Sequence, residues 1–395
     1  MERRGFIATV GASLLAVRGL RLAAVPAQDA RLLVVFLRGG YDCANILVPC
    51  SSPFYHESRP SLAIARPDPA NPQSALDLTG GWGLHPALRD SILPLWQQGQ
   101  AAFIPFAGTH DLSRSHFETQ DSMESGQPLD GSREYGSGFL NRLAAVLGGS
   151  SGVSFTDELP LSMRGPVAIP NVSLKQFGKA PFDDRQMAVI AGMYRGQPLE
   201  AQVLEGFQLR KEVAEAYAKE MQEAGREAIS SKGFELEARR VGRMMRERFN
   251  LGFIDVGGWD THVNQGGAQG TLAGNAESLG KGLAGCAREL GAAWNRTVVV
   301  VLSEFGRTFR ENGTRGTDHG HGSVHWVLGG AIQGRRLAGE QVPVERKTLF
   351  QDRDYPVLNE YRATLGGLFR RLYGLSAQQL ETVFPRAGAV DLGLV

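Results

Sequence analysis

Acidic and imidazole side chains gather at three points of the sequence where predicted strands should give way to loops. Such groups lose hydration when they come together in a fold, which costs free energy unless a cation or hydrogen bonds compensate. Their density therefore predicts a metal site. The side chains at these three points are Asp260, His262, Glu304, Asp318, His319 and His321.

The spacing within these groups indicates which residues could share an ion. Asp260 and His262 are two residues apart, and His319 and His321 repeat that spacing. In extended backbone such pairs point to the same side of the chain. Imidazole and carboxylate ligands without thiolate suit Zn, Mn or Fe, whereas the carboxylate-rich part would suit Mg, Ca or Mn. One ion would bind Asp260, His262 and either His319 or His321.

A second ion would bind carboxylates at other predicted strand ends. Asp42 follows an apolar run at residues 30–37, and Glu304 and Asp318 are further candidates. Two ions a few ångström apart can clamp the attacking and leaving oxygens of a displacement at phosphorus or sulfur. Structural roles remain open, because Asp42 could cap a helix and Glu304 could pair with Arg307.

Two serines lie near the start of a predicted helix that follows the apolar run at residues 101–107. A hydroxyl there faces unpaired backbone N–H groups and the positive end of the helix dipole, which favour an alkoxide or a bound phosphate or sulfate. Ser113 and Ser115 are therefore candidate nucleophiles. Plain helix capping by serine is the alternative.

The elements that must position these groups alternate between strands and helices. This alternation predicts an α/β three-layer fold with a mostly parallel central sheet, in which ligand sites lie at strand carboxyl ends. Predicted strands lie at residues 30–37, 101–107, 297–302 and 324–332, and the run that begins at residue 251 is a further apolar segment. Predicted helices lie at residues 84–98 (broken by Pro94), 138–147, 182–194, 205–249 and 354–373. Residues 51–83 read as a surface loop, and residues 185–250 as a helical insertion.

The first residues resemble a twin-arginine export signal. Arg3 and Arg4 precede an apolar stretch, and small residues at 25–27 provide a cleavage site. An amphipathic N-terminal helix is the alternative. We therefore predict a signal at residues 1–27, export by the twin-arginine machinery to the periplasm or the extracellular space, and a single domain at 28–395. The apolar stretch is too short for a stable membrane span.

Composition excludes several classes of function. The chain has 395 residues, of which 42% are hydrophobic and 21% charged, with a formal net charge of +1. Without a basic block, nucleic acid is not an implied partner. Cys43, Cys50 and Cys286 are an odd number without metal-type spacing, so they predict neither a disulfide framework nor a thiolate zinc site.

Six motifs, taken in order, resemble the exported family known as domain of unknown function 1501, which is placed in the alkaline phosphatase and sulfatase superfamily. The resemblance implies an alkaline-phosphatase-like fold and a metal-dependent hydrolase of phosphate or sulfate esters, acting on a small-molecule or polymer substrate. The motifs are FLRGGYDCAN (36–45), GLHPAL (83–88), SRSHFETQD (113–121), GGWDTH (257–262), VVVLSEFGRT (299–308) and GTDHGHGS (316–323).

The resemblance also implies roles for individual residues. Superfamily members use a metal-ligating Asp after the first strand, matched by Asp42, and an Asp and a His at one later strand end, matched by Asp260 and His262. They carry a nucleophile at a helix N-terminus, for which Ser115 is the first choice and Ser113 the reserve.

One departure from the superfamily pattern bears on the second ion. A strand ending in Ser-Asp-His-Gly in relatives is matched only partly here, because Phe305 stands where the imidazole would be. Since Phe305 cannot bind a metal, the missing ligand must come from His319 or His321, or the second ion is weak or absent.

The catalytic chemistry implied by the resemblance uses an unmodified serine, because the sulfatase signature is missing around Ser115. Arg114 or Arg38 could hold the non-bridging ester oxygens bidentately. His116 could protonate a leaving group, although a loop histidine without a role is an alternative. A non-catalytic, metal-binding envelope protein that retains the fold is the second hypothesis, and phosphotransfer at the same site is a third.

Overall fold

The computed structural model describes residues 29–131, 134–149, 151–174, 184–208 and 233–395. The predicted export signal at residues 1–27 lies outside this described part, as do residues 209–232 of the predicted insertion. None of the described helices is both long enough and apolar enough to cross a membrane.

A sheet of eight strands lies at the centre of the described chain, and three short strands form a second sheet. The large sheet contains β1 (Arg31–Leu37), β5 (Ala101–Gly108), β6 (Gly152–Ser154), β7 (Leu251–Val256), β8 (Thr297–Ser303), β9 (Ser323–Leu328), β10 (Arg336–Leu337) and β11 (Asn359–Glu360). Its order is β10-β5-β9-β8-β1-β7-β6, and β11 also pairs with β5. The small sheet contains β2 (Leu47–Val48), β3 (Leu76–Thr79) and β4 (Trp82–Leu84).

Strand β9 sets the edge at which the candidate site forms. It runs antiparallel to β5 and β8, whereas the other pairings in the large sheet are parallel. Because β9 is reversed, its amino end lies at the edge where the parallel strands have their carboxyl ends. The loop before β9 therefore meets the loops after β1, β5, β7 and β8. The predicted mostly parallel sheet is confirmed.

Helices cover both faces of the sheet. They are α1 (Pro53–Ser58), α2 (Ile92–Gln97), α3 (His116–Ser125), α4 (Phe139–Val146), α5 (Asp184–Tyr194), α6 (Phe234–Glu247), α7 (Thr271–Leu290), α8 (Tyr361–Tyr373) and α9 (Ala377–Val383). Alternation along β1 sends Val35 into an apolar cluster with α6 and α7, and Val34 into a second cluster with α4 and α8. Because successive strand residues point to opposite faces, a doubly buried apolar strand gives the three layers that the sequence predicted.

Several predicted element boundaries were wrong. Instead of one helix over residues 84–98, the chain forms a short 3-10 turn and then α2, in whose first turn Pro94 is tolerated because the N–H groups there have no intrahelical partner. The predicted loop at 51–83 contains α1, whose first turn is capped by the Ser52 hydroxyl. Helix α8 begins at Tyr361 and not at residue 354, because the segment before Pro356 pairs instead with the loop after β8.

Candidate metal centre

Three imidazoles converge on the carboxylate of Asp260 at the sheet edge. Oδ1 of Asp260 lies 2.9 Å from Nε2 of His262 and 3.3 Å from Nε2 of His319. Oδ2 lies 3.5 Å from Nε2 of His116. His116, Asp260 and His319 each offer a ligand atom within 4.8 Å of the others, and among the described residues no other three histidine, cysteine or acidic side chains lie this close together.

Each imidazole is held through its other ring nitrogen by a group that can only accept a hydrogen bond. Nδ1 of His116 lies 2.8 Å from Oε1 of Glu304, and Nδ1 of His262 lies 3.1 Å from Oδ1 of Asp318. Nδ1 of His319 lies 2.9 Å from the backbone carbonyl of Arg114. Ionised carboxylates and carbonyls accept only, so a neutral ring that donates to each of these groups carries its proton on Nδ1 and presents a lone pair on Nε2. Nε2 of His262 and of His319 also faces an acceptor, Oδ1 of Asp260.

These tautomers fit a metal ion better than a hydrogen-bonded cluster. Nε2 of His262 lies 3.1 Å from Nε2 of His319, and with both ring protons on Nδ1 the two lone pairs cannot form a hydrogen bond. Nε2 of His116 is buried and has no hydrogen-bond partner. A cation between His116, His319 and Asp260, whose ligand atoms all lie within 4.8 Å of one another, would satisfy the first two nitrogens, and Nε2 of His262 beside them is a further candidate ligand. Three nitrogen donors and one carboxylate suit zinc, manganese or iron better than magnesium or calcium, which prefer oxygen ligands.

Asp260 is kept anionic by a buried arginine. Nη1 of Arg307 donates to Oδ1 of Asp260 at 2.7 Å, and the Arg307 side chain is inaccessible to solvent. Burial by itself would raise the pKa of Asp260, but the hydrogen bond and charge of Arg307 lower it below the ordinary value. The open alternative of a Glu304–Arg307 pair is therefore replaced by an Asp260–Arg307 pair.

Both carboxylate oxygens of Glu304 accept hydrogen bonds from the protein, so this residue supports the cluster by holding His116. The carboxylate is fully buried. Oε1 accepts from the backbone N–H of Gly39 and from Nε2 of Gln120, both at 2.8 Å, in addition to His116. Oε2 accepts from the hydroxyl of Ser303 at 2.8 Å. Burial would raise the pKa of Glu304, but these hydrogen bonds, that of His116 above all, lower it.

Neighbouring groups shift the pKa values of His116 and His319 in opposite directions. The hydrogen bond to Glu304 raises the pKa of His116 above its ordinary value, despite partial burial. Burial lowers the pKa of His319, and the charge of His116 adds to that effect. A neutral imidazole is the metal-binding form, so protonation competes with metal binding more strongly at His116 than at His319.

The structure places Asp42 elsewhere. Its carboxylate is buried and paired bidentately with Arg59, at 2.5 Å from Nη1 to Oδ2 and 2.9 Å from Nη2 to Oδ1. Oδ2 also accepts from Nε2 of Gln265 at 2.6 Å. This carboxylate is neutralised by an arginine that the sequence analysis did not consider, and we leave it out of the metal site.

His321 and Asp318, also predicted as ligands, take different positions. The ring of His321 packs on Phe350 with 4.8 Å between ring centroids, and burial lowers the pKa of His321 to about 4. Asp318 is exposed, and its Oδ1 lies within hydrogen-bonding distance of Nδ1 of His262 and of the side-chain amide of Asn312. His321 therefore lies outside the cluster, whereas Asp318 orients one of its imidazoles.

Phe305 forms a wall of the cluster. Its ring centroid lies 5.0 Å from that of His116 and 5.1 Å from that of His319. The missing superfamily imidazole is thus not replaced at this position. With Asp42 paired to Arg59 and Glu304 saturated by donors, the described residues fit one ion and not two.

The predicted nucleophiles lie beside the cluster on the loop that enters α3. Ser115 directly precedes His116 and is the N-cap residue of α3, but its side chain makes no capping hydrogen bond. The hydroxyl of Ser113 lies 3.1 Å from that of Thr119, and it accepts a hydrogen bond from the backbone N–H of Ser115 at 3.3 Å. Ser113 therefore has a local structural partner, whereas no capping hydrogen bond engages the hydroxyl of Ser115.

The two arginines predicted to hold ester oxygens both have carboxylate partners. Arg114 donates to Asp354 at 2.8 Å and to Gln351. Arg38 donates to Asp255 at 2.7 Å, to Gln120 at 2.8 Å and to Glu124 at 2.8 Å. Their roles are thus to hold the loops around the site together, unless a ligand displaces these partners.

Close backbone contacts bring the distant segments together. The backbone N–H of Gly306 donates to the carbonyl of His321, and that of Gly320 donates to the carbonyl of Gly306, both at 2.9 Å. This pairing sets His319 beside the end of β8. Gly39 has φ of +121°, and a Cβ there would lie 2.6 Å from the backbone nitrogen of Asp260. Glycine at this position lets the β1 loop approach the β7 loop.

Two residues of the cluster and its surroundings, Arg307 and Gln120, were not predicted in these positions from the sequence, and a third, His116, was predicted in a different role. Sequence reasoning did not weigh Arg307 as the partner of Asp260, and it did not consider Gln120 at all. It took His116 as a proton donor, whereas the structure groups this histidine with Asp260 and His319. The spacing of His116 and Gln120, four residues apart on one helix, was the available signal, because such residues share a helix face.

Comparison with solved structures gives distant likenesses. The lipoteichoic acid synthase LtaP from Listeria monocytogenes is 10% identical, with a TM-score of 0.40, and the match covers 93% of this chain and 76% of that chain. A protein in the alkaline phosphatase superfamily from Vibrio parahaemolyticus is 10% identical, with a TM-score of 0.39 and coverage of 86% and 70%. With TM-scores below 0.5, these likenesses carry no inference about activity.

Comparison of sequences is more decisive. The curated proteins include no match to this chain. A family model described as "Protein of unknown function (DUF1501)" matches residues 29–384, which is most of the chain and includes every motif quoted above. The family predicted from those motifs is therefore confirmed, and the chain belongs to the DUF1501 family.

Proposed function

We propose that this chain is an exported, metal-dependent hydrolase of phosphate or sulfate esters with one divalent ion at its centre. The observation that carries the proposal is the convergence of three imidazole Nε2 atoms on the Asp260 carboxylate, with Nδ1 of each ring facing a hydrogen-bond acceptor.

The residues proposed to hold the ion are His116, His262, His319 and Asp260. They are open to solvent on one side, since their side chains are 23%, 39%, 27% and 45% exposed. When bound, a divalent ion would supply positive charge that stabilises negative charge developing on ester oxygens. Arg307 keeps Asp260 ionised, and Glu304 and Asp318 keep two of the rings oriented.

Ser115 is the proposed nucleophile. Its hydroxyl would attack the phosphorus or sulfur, a new oxygen–phosphorus or oxygen–sulfur bond would form, and the bond to the leaving alcohol would break. The serine proton ends on the departing alcohol, and water then cleaves the serine ester and restores the hydroxyl. Unpaired backbone N–H groups at the start of α3 would stabilise negative charge on the attacked ester.

Metal analysis and an ester screen test the proposal. We expect purified protein to bind about one equivalent of zinc, manganese or iron and to hydrolyse p-nitrophenyl phosphate or p-nitrophenyl sulfate. Asp260→Asn should lose metal and turnover together, whereas Ser115→Ala should lose turnover and keep the metal. His110→Ala, at an exposed histidine nearby, is the control and should change neither.

Ser113→Ala separates the two candidate nucleophiles. If Ser113→Ala abolishes turnover while Ser115→Ala does not, the assignment of the nucleophile must be reversed. If wild-type protein binds no metal and Asp260→Asn has unchanged activity, the metal-dependent mechanism is excluded.

A non-catalytic, metal-binding envelope protein is the second candidate. The observation in its favour is that both arginines expected to hold ester oxygens, Arg38 and Arg114, donate to carboxylates of the protein itself. For this function we expect one bound metal and no turnover of either ester. A phosphorylated Ser115, trapped from wild-type protein, would exclude it.

A further inference from the structure

A continuous series of hydrogen bonds runs from Arg38 through Gln120 and Glu304 to the imidazole of His116. Nη1 of Arg38 donates to Oε1 of Gln120 at 2.8 Å. Nε2 of Gln120 donates to Oε1 of Glu304 at 2.8 Å, and the same oxygen lies 2.8 Å from Nδ1 of His116. Gln120 is thus the single residue between a partly exposed cation and the carboxylate that holds His116.

The helix makes this arrangement geometrically simple. His116 and Gln120 are four residues apart on α3, and residues at that spacing lie on the same helix face, about one turn apart. Both therefore face the end of β8, where Glu304 receives a hydrogen bond from each. Glu124, one further turn along, binds another nitrogen of Arg38 at 2.8 Å.

Arg38 decides which way the Gln120 amide points. A glutamine amide has one accepting end and one donating end, and either could in principle face Glu304. The guanidinium can only donate, so the amide oxygen must face Arg38 and the NH2 group must face Glu304. In the reverse orientation the amide oxygen would meet the carboxylate, and two acceptors would repel each other.

We propose that Gln120, oriented by Arg38, is a positioning residue that holds the Glu304 carboxylate where its Oε1 accepts from Nδ1 of His116, and thereby favours the tautomer of that ring with the proton on Nδ1. Gln120 touches neither the ion nor a substrate in this scheme. It acts through Glu304 on the direction of the Nε2 lone pair. The proposal deepens the metal centre proposed above and rests on it.

The central experiment is a metal titration of Gln120→Leu without any substrate. Leucine keeps the helix and a similar volume but removes both hydrogen bonds. Loss of a group that orients a metal-binding histidine typically lowers metal affinity by about 10–100-fold, and we expect about tenfold here because Gln120 acts one step further out. Glu118→Leu, on the exposed side of the same helix, is the matched control and should leave the affinity unchanged.

Two readouts distinguish positioning from general loss of structure. Long-range nitrogen NMR of the metal-free protein should show His116 protonated on Nδ1 in the wild type and as a mixture of tautomers in Gln120→Leu. The absorption spectrum of bound Co²⁺ should also change in the variant, because the His116 ligand is displaced. Circular dichroism and the urea midpoint should match the wild type.

A double-mutant cycle tests whether the effect passes through Glu304. If it does, Gln120→Leu should weaken cobalt binding about tenfold in the wild-type background and have little further effect in Glu304→Gln. Equal effects in both backgrounds, or an unchanged tautomer and affinity in Gln120→Leu, would overturn the proposal. Because no ester is used, a failed hydrolase assay leaves this test intact, and if wild type binds no cobalt, the tautomer measurement still decides it.

Discussion

Replacement of Arg59 by methionine should destabilise the protein strongly without emptying the metal site. Arg59 is fully buried and makes five hydrogen bonds: two to Asp42, one to the side chain of Asn45, and two to backbone carbonyls after β8. Among the described residues, the Arg59→Met variant leaves Asp42 as a buried charge with the Gln265 amide as its remaining side-chain partner.

The expected magnitude follows from the burial of the pair. Removing one partner of a buried ion pair typically costs about 3–5 kcal/mol, because the remaining charge has lost both water and its counter-charge. A domain with a total stability of about 5–15 kcal/mol would lose a large part of it. The urea midpoint followed by circular dichroism should therefore fall sharply, whereas the metal content of the folded fraction should stay at the wild-type level.

Two further variants complete this test. The double variant Asp42→Leu/Arg59→Met removes both charges and should recover part of the lost stability. Arg346→Met, which breaks the exposed pair with Asp352, should leave the urea midpoint unchanged. An unchanged midpoint in Arg59→Met, or loss of metal in Asp42→Asn at normal stability, would refute the structural role of Asp42 and restore it as a ligand.

Three other variants probe the site edge and the core. Gly39→Ala should lower both stability and metal affinity, measured by urea unfolding and metal titration, because its Cβ would lie 2.6 Å from the backbone nitrogen of Asp260. Asp318→Asn should weaken metal binding about 10–100-fold in the same titration, because an amide can donate to Nδ1 of His262 and shift the ring proton to Nε2. Below about pH 6.5 His325 binds a proton in the unfolded wild-type chain, which lowers the stability of the folded protein. The His325→Leu variant should not show this loss of stability. Burial lowers the pKa of His325 to about 4, so the folded protein takes up that proton only near pH 4.

Each of these variants has a control or a contradicting result. Gly257→Ala is the control for Gly39→Ala, since a Cβ at Gly257 would meet nothing within 4 Å. Asp318→Asn with unchanged metal affinity would remove Asp318 from the support of the cluster. For His325→Leu, the unfolding free energy relative to wild type should rise by about 1.4 kcal/mol per pH unit as the pH falls from 6.5 toward 4. A difference that does not change with pH would contradict the buried neutral histidine.

Much of the fold was predictable because the relevant signals are local. Uninterrupted apolar runs predicted β1, β5 and β8 to within a residue or two, since a strand buried on both faces needs nothing but apolar side chains. Predicted boundaries were wrong where the position of one residue within an element decided the structure. Pro94 was predicted to interrupt a helix, but it lies in the first turn of α2.

The sequence by itself determined the family, the three-layer sheet and the edge at which acidic and imidazole groups collect. It also supplied Asp260, His262 and His319, because polar residues at strand ends are visible in the chain order. Only the tertiary structure decided which partner each group meets: Arg59 for Asp42, Arg307 for Asp260, and Glu304 for His116. A carboxylate looks the same in sequence whether it binds a metal, an arginine or an imidazole. Its role depends on which cation or donor comes within hydrogen-bonding distance after residues 17 to 188 positions apart are packed together.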